Sequence, residues 1–387
     1  MRSPKLRKRE EAATANWSNL CLDVIQMVLE KLSATDFNRA KAVCSGWLSA
    51  SRQSVRKQNQ IPWLILFPYE RSYGYSCRML NPAEEGLVYR SRNLGVEFTQ
   101  SRCIATCGSW LLMYLFRCQP KLYILNPLTR DRINLPPLES RKSDIIIFSP
   151  QEVRRFCHGD QQSRRERALT EEICDLSSKD EKSVLWVDER SKNYLVVWSY
   201  GGCCLFFSKK GDKVWRMFPY VGTNGLWDFV CKGLILYMYT RLSLIEIYDF
   251  SGDSPLALTH APFFCSSRFF PAFTIERLAV TTSGEALMVG IYNIHKTFRS
   301  FCVYKKNHAT NKWDEMASLG DQALILDLGI TVSAKDVQGF KSNSIYFSGV
   351  SFGTSHIFIY SLATHKVEPF MASTNKFFDA RWFIPNV

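Results

Sequence analysis

From Ile61 onward one unit returns along the chain: an apolar strand, a gap, a strand of the form apolar-x-apolar-Tyr ending in a polar turn, and a short last strand. Its first clear copy is Trp110-LLMYLF, Leu122-YILNPLTRDR and Ile133-NLP, and its second is Tyr194-LVVWS, Leu205-FFSKKGDK and Val214-WRMFP. Further copies start at Leu234, Ala286 and Ser344, so starts from the second copy on are separated by 40, 52 and 58 residues. Pro62-WLILFPY and Cys77-RMLN read as one more. Short strands rich in β-branched and aromatic residues, bounded by Gly, Pro, Asn and Asp and repeated at about 40–50 residues, are what propeller blades require. Such blades leave only short, protected sheet edges. A two-sheet sandwich needs no fixed interval, so the interval favours the propeller. Trp110, Trp186, Trp198 and Trp215 are expected to stack blade on blade.

The stretch before Ile61 has a different period. Ile25, Val28, Leu29 and Leu32 lie at i, i+3, i+4 and i+7, one stripe of an amphipathic helix. Ser33-Ala34-Thr35-Asp36 has the form of a capping box opening a second helix, in which Phe37, Ala40, Val43, Cys44 and Trp47 share a face. Gly46 and the polar run to Gln60 suggest a turn and a last basic helix. Three short helices in some 45 residues are too few for a robust core of their own and should pack against something else. The expected architecture is therefore mainly β: a β-propeller of repeated antiparallel blades over 61–387, preceded by a small three-helix domain at 17–60 and a basic, disordered tail at 1–16. A charged insert at about 139–182 interrupts the propeller. From Gln151 to Lys182 it holds 7 basic and 8 acidic side chains, which reads as a surface loop and not as a blade.

Charge and cysteine content narrow the class. Of the net +13, residues 1–60 carry +6 (11 basic, 5 acidic), leaving +7 for the other 327 residues and diluting a nucleic-acid reading. Lys5-Leu6-Arg7-Lys8-Arg9 is either a nuclear import signal or a solvated tail. The 13 cysteines are odd in number and sparse for the length, the pattern of a reducing compartment. With no apolar run near the ~20 residues of a membrane helix and no secretory signal at the N-terminus, the expected location is cytoplasm or nucleus, with an organelle as the lesser alternative, and without a membrane partner.

Chemistry is sparse. No Cys-x2-Cys pair, zinc-finger spacing, His-Glu-x-x-His, phosphate loop or Gly-x-Ser-x-Gly elbow occurs, so no catalytic residue, metal site or cofactor is assigned. Cys103 and Cys107 read as core thiols. Trp227-Asp228 and Trp313-Asp314 are WD dipeptides, but they lack the Gly-His partner of a WD40 repeat. The aromatics, 13% of the chain, are the residue types that anchor protein interfaces.

Leu20, Leu22, Val24, Ile25, Val28, Leu29, Leu32, Asp36, Arg39, Ala40, Val43, Cys44 and Trp47, in this order and spacing, resemble an F-box. The family's Pro after the first Leu is Cys21 here, which removes a residue that pre-sets the chain entering the first helix. Cys107-GSWLLM, Leu125-NPLTRDRINLPPLES, the block from Trp313 to Ser348, Ile359-YSLATHKVEPF and Arg381-WFIP resemble the plant domain of unknown function numbered 295. Together the two resemblances cover nearly all the chain and imply a Brassicaceae-type F-box protein with a propeller body. They imply a non-catalytic subunit of a cullin-RING ubiquitin ligase: the F-box docks on a Skp-type adaptor, and the propeller holds a target protein. The residues expected to bury against the adaptor are Leu20, Leu22, Ile25, Val28, Leu29, Leu32, Phe37, Val43 and Trp47. The alternatives are a stand-alone propeller scaffold with a degenerate head, and a nucleic-acid binder whose affinity falls steeply with salt.

Overall fold

The computed structural model describes residues 20–32, 34–53, 61–67, 75–84, 87–115, 121–138, 182–200, 204–218, 226–263, 274–294, 298–335, 337, 339–351, 354–370 and 379–385. The tail, Ser33 of the expected capping box and positions 139–181 of the charged insert lie outside them. The chain divides into two units, one up to Gln60 and the other from Ile61 to Pro385. Among the described residues no helix is long and apolar enough to cross a membrane.

The first unit holds three helices, α1 (Leu22–Lys31), α2 (Ala34–Ala40) and α3 (Ser45–Gln53). Ile25 and Leu29, one turn apart on α1, meet Phe37 and Ala40 of α2 and Trp47 and Ala50 of α3 in a small closed interior. The spacing places Phe37 through Trp47 on a single helix, and here the structure differs. Helix α2 stops at Ala40, tightened by i→i+3 bonds from Ala42 N–H to the Arg39 carbonyl and from Val43 N–H to the Ala40 carbonyl. Helix α3 then starts afresh at Ser45, so Gly46 lies inside its first turn rather than at a break. The new axis swings the Trp47 ring back onto α1 and leaves Val43 outside.

The second unit begins with β1 (Trp63–Phe67), β2 (Arg78–Leu80) and β3 (Val88–Arg90), followed by the single turn α4 (Val96–Thr99). Three four-stranded antiparallel sheets come next, each meandering outward from its first strand. They are β4 (Ser101–Cys107), β5 (Trp110–Leu115), β6 (Lys121–Leu125) and β7 (Arg132–Asn134); then β8 (Ser183–Val187), β9 (Tyr194–Tyr200), β10 (Cys204–Lys209) and β11 (Arg216–Met217). The third comprises β12 (Leu226–Lys232), β13 (Ile235–Thr240), β14 (Leu244–Asp249) and β15 (Leu256–Pro262). A fourth outward meander is β16 (Thr274–Val280), β17 (Ala286–Ile294), β18 (Phe298–Asn307) and β19 (Lys312–Glu315).

The last meander departs from this pattern. Strands β20 (Gln322–Ile325) and β21 (Ile330–Ser333) form a hairpin, and β20 then pairs in parallel with β22 (Ser344–Ser351), which continues into β23 (Thr354–Ser361) and β24 (Lys366–Pro369). It is β21, parallel to β16 at Val280 and Ile330, that takes the inner position. Finally β25 (Asp379–Phe383) pairs antiparallel with β1 and supplies the missing inner strand of the first sheet. Among the described residues the result is a six-bladed propeller closed by one C-terminal and three N-terminal strands. The recurring units read from the sequence begin on the second strand of a blade, except the one at Ser344, which begins on the third strand of the last blade. The inner strands escape the pattern because they carry Arg102, Asp228, Glu276, Arg277 and Arg381 among their apolar residues, which blurs the alternation that marks a half-buried strand.

Aromatic layers fill the spaces between blades. Trp110, Trp198 and Trp215 are buried between the second and third blades, as their spacing suggests, while Trp186 is only half-buried. Trp215 donates its indole N–H to the Pro136 carbonyl (3.0 Å), and Trp313 donates to Pro262 in the same way (3.4 Å), each tying one blade's rim to the blade before it. The inner strands are tied as well: Ser183 Oγ donates to the Ile104 carbonyl (3.0 Å) and Thr106 Oγ1 to the Trp382 carbonyl (2.6 Å).

Two glycines make the irregular last blade possible. Gly329 has φ +65°, and a Cβ there would stand 2.8 Å from Val230 Cγ2 and 3.1 Å from the Leu278 carbonyl oxygen. Gly339 has φ +82°, and its Cβ would lie 2.2 Å from the Pro82 carbonyl oxygen, an approach only glycine permits. Gly339→Ala is expected to destabilise the propeller by ~2–5 kcal/mol, backbone strain and overpacking together. Gly211→Ala, at φ +95° with open space around its Cβ, should cost only the backbone part. Urea unfolding of the two variants checks this, and equal midpoints would show that the Pro82 contact does not constrain position 339.

Candidate functional site

Two surfaces present side chains suited to holding another protein. On the helical unit, the nine residues assigned to adaptor docking separate into three groups. Ile25, Leu29, Phe37 and Trp47 are inside the unit's own core, so their apolar area is already spent on holding the helices together. Leu20, Val28 and Leu32 pack against the margin of that core and stay half-buried. Only Leu22 and Val43 are exposed, Val43 at 53%. The structure adds three exposed apolar side chains to these: Val24, Met27 (60%) and Leu48. Val24 and Met27 lie on α1 opposite Leu29, on a face where a small monomeric helical unit would carry polar groups. They break the amphipathic pattern, and that break is the sequence signal by which they are found.

Cys21, which replaces the family's Pro, has φ −66° and ψ 152°, and its carbonyl accepts from Ile25 N–H at 3.1 Å. That φ is the value a proline ring imposes. The substitution therefore keeps the entry geometry and gives up only its pre-organisation. No side chain caps α1, and Asp23 in its first turn is the favourable charge at that end.

On the propeller, a polar cluster gathers where the inner strands begin. Asp228, near the start of β12, has a fully buried side chain. Its Oδ1 accepts from the Phe229 N–H (2.9 Å) and its Oδ2 from the Leu278 N–H on β16 (2.8 Å). The Lys182 ammonium, just ahead of β8, donates to Oδ1, and Arg277 Nη1 stands 3.9 Å from the same oxygen. One carboxylate thus ties three blades. Burial pushes the Lys182 ammonium below the usual lysine range, and the Asp228 charge opposes that shift. Asp327, in the turn between β20 and β21, accepts from the Ser348 hydroxyl at 2.9 Å.

The two WD dipeptides part ways. Trp313 is buried at a blade rim, whereas Trp227 is 55% exposed beside Asp228. The register of β12 on β13 slips between Leu226 and Asp228, a bulge at Trp227 that re-aims its side chain outward. Arg241, in the β13–β14 turn, lays its guanidinium over the Trp227 ring at 5.3 Å.

The described residues contain no group of three or more His, Cys, Asp or Glu arranged to hold a metal ion. The Cys103 thiol donates to the Ala105 carbonyl. Burial pushes the Cys107 and Cys77 thiols up to about 11 and raises Cys231 further, so these sulfurs stay protonated and weakly nucleophilic at neutral pH.

Comparison with known proteins places these surfaces in a family. The KIB1-4 β-propeller family model matches residues 50–361, and the F-box domain model matches residues 17–59. The Arabidopsis thaliana F-box protein At4g22180 is 39% identical over 413 residues, spanning 99% of this chain and 98% of its own. F-box protein At2g05970 of the same plant is 37% identical over 401 residues, covering 96% of this chain and 97% of its own. Among solved structures, the Cps50 (Swd1) β-propeller domain covers 81% of this chain and 87% of its own at 8% identity and a TM-score of 0.36, too loose a likeness to add to the strand pairing itself.

Proposed function

The chain belongs to the KIB1-4 β-propeller family and carries an F-box domain ahead of its propeller, and on that premise we propose that it is the substrate-receiving subunit of an SCF-type cullin-RING ubiquitin ligase. The helical unit docks on the Skp-type adaptor, the propeller holds the target, and transfer chemistry is left to the ubiquitin-conjugating enzyme that the RING subunit recruits. Cytoplasm or nucleus is where such a complex would meet its target. The observation that carries this reading is the F-box match on a unit that keeps Leu22, Val24, Met27 and Val43 exposed while using Leu29 and Trp47 for its own core. Exposed apolar side chains of this density, rimmed by polar ones, mark a surface that another protein covers.

The full chain is expected to be retained by an immobilised plant Skp-type adaptor. A chain lacking residues 1–60 should pass through while keeping the β signal of its far-ultraviolet circular dichroism. Retention of neither would leave a stand-alone propeller scaffold, and retention of both would move adaptor binding off the F-box.

A further inference from the structure

Trp227 is a large aromatic side chain that the fold turns outward instead of burying. Around it lie Leu242, 58% exposed in the β13–β14 turn, and Ile275, exposed near the start of β16. The Leu226–Thr240 pair brings that turn to the same end of the blade as Trp227. The Leu278 N–H bond to Asp228 sets β16 beside β12, so Ile275 stands level with the beginning of β12.

The charges around this apolar spot are unequal in what they show to solvent. Asp228 is sealed by two backbone N–H groups and by Lys182. Glu276 is engaged by the Tyr239 hydroxyl. Lys182 keeps 33% of its side chain exposed, Arg277 keeps 45%, and Arg241 is exposed on the Trp227 ring. Arg381 and Asp327 add one charge of each sign, Asp327 being exposed, and the accessible cations next to Trp227 are Arg277 and Arg241.

We infer that this patch, at the start of β12 and β16, holds an acidic peptide segment bearing one bulky apolar side chain, the segment belonging to the protein that the propeller recruits. The inference rests on the reading of the propeller as the target-holding part, and it names the chemistry of that target. The apolar side chain lies against Trp227, Leu242 and Ile275, and flanking carboxylates meet Arg277 and Arg241. Tryptophan and arginine are the residue types that dominate protein interfaces. Charge-assisted contacts from guanidinium to carboxylate are the stronger class of hydrogen bond. Single-stranded nucleic acid also seeks cations and aromatic rings, but it needs successive stacking platforms along a positive groove. Here one ring is offered, one of its faces is taken by Arg241, and aliphatic side chains flank it.

The test uses the immobilised full chain and a degenerate octapeptide library with a fixed central Phe, read by mass spectrometry. Asp and Glu should be enriched at least fivefold over Lys and Arg at the flanking positions. Trp227→Ala should lower retention of a selected peptide by about tenfold or more, and Arg277→Gln should flatten its salt dependence. No acidic enrichment, or unchanged retention by the Trp227→Ala chain, overturns the inference. So does tighter binding of fluorescein-labelled oligo-dT than of the selected peptide. Adaptor retention is measured on the same preparation. Enrichment without adaptor binding removes the ligase reading and leaves this patch standing, whereas adaptor binding without enrichment does the reverse.

Discussion

A chain cut after Pro369, and so without β25, is expected to show no cooperative thermal transition, and Trp382→Ala alone should cost ~3–5 kcal/mol. Strand β25 is the inner strand of the first blade, registered against β1 from Trp63–Phe383 to Phe67–Asp379. Without it β1 becomes an apolar edge, five buried residues long, facing water, which is a template for aggregation. Trp382 is fully buried and stands 5.8 Å from the Phe340 and Tyr346 rings and 5.4 Å from Phe370. Its carbonyl holds the second blade through Thr106, and the Ile384 N–H adds a bond to the Gly108 carbonyl at 3.2 Å. One ring thus joins the last blade to the first, while the backbone beside it reaches the second. Differential scanning calorimetry of the truncated and Trp382→Ala chains checks both effects. A truncated chain that melts like the intact one would mean that the ring does not depend on this closure.

Placing carboxylates at Leu22 and Val43 (Leu22→Asp with Val43→Asp) is expected to weaken adaptor binding by ~30-fold or more while leaving both units folded. Truncating an interface hot spot typically costs at least about 2 kcal/mol, and a charge facing an apolar partner adds desolvation to that loss. Both side chains are exposed in the helical unit, so folding asks nothing of them. Trp47→Ala should also abolish binding, but by another route. The Trp47 ring belongs to an interior of six side chains, and emptying it costs ~3–5 kcal/mol, more than so small a core can spare. Limited proteolysis separates the two mechanisms: the Trp47→Ala head should be cleaved rapidly and the double-aspartate head should resist. Full binding by the double-aspartate chain would remove these two positions from the docking surface.

How far the sequence alone reaches depends on the range of the interactions that set each feature. The short apolar runs of β5, β9, β13, β17 and β22, and the i, i+3, i+4, i+7 stripe of α1, are local patterns, readable because a buried strand or a helix declares itself within a few residues. The propeller class and the three-helix head follow from these. The inner strands were not readable, since residues such as Asp228, Arg277 and Arg381 serve contacts between blades and toward the axis rather than one half-buried face. The same holds for the docking residues. One helical period through Phe37 and Trp47 assigns Val43 and Trp47 a shared fate, but the helix break after Ala40 turns one outward and the other inward. The sequence by itself determined that the chain repeats a blade-forming unit behind an F-box-like head. Only the tertiary structure decided that the described residues form six blades, that β25 closes them, and that of two Trp-Asp pairs one is buried at a rim and the other is turned out by a bulge. Ring closure pairs Trp63 with Phe383, and no pattern within a strand's length records a partner at the far end of the chain.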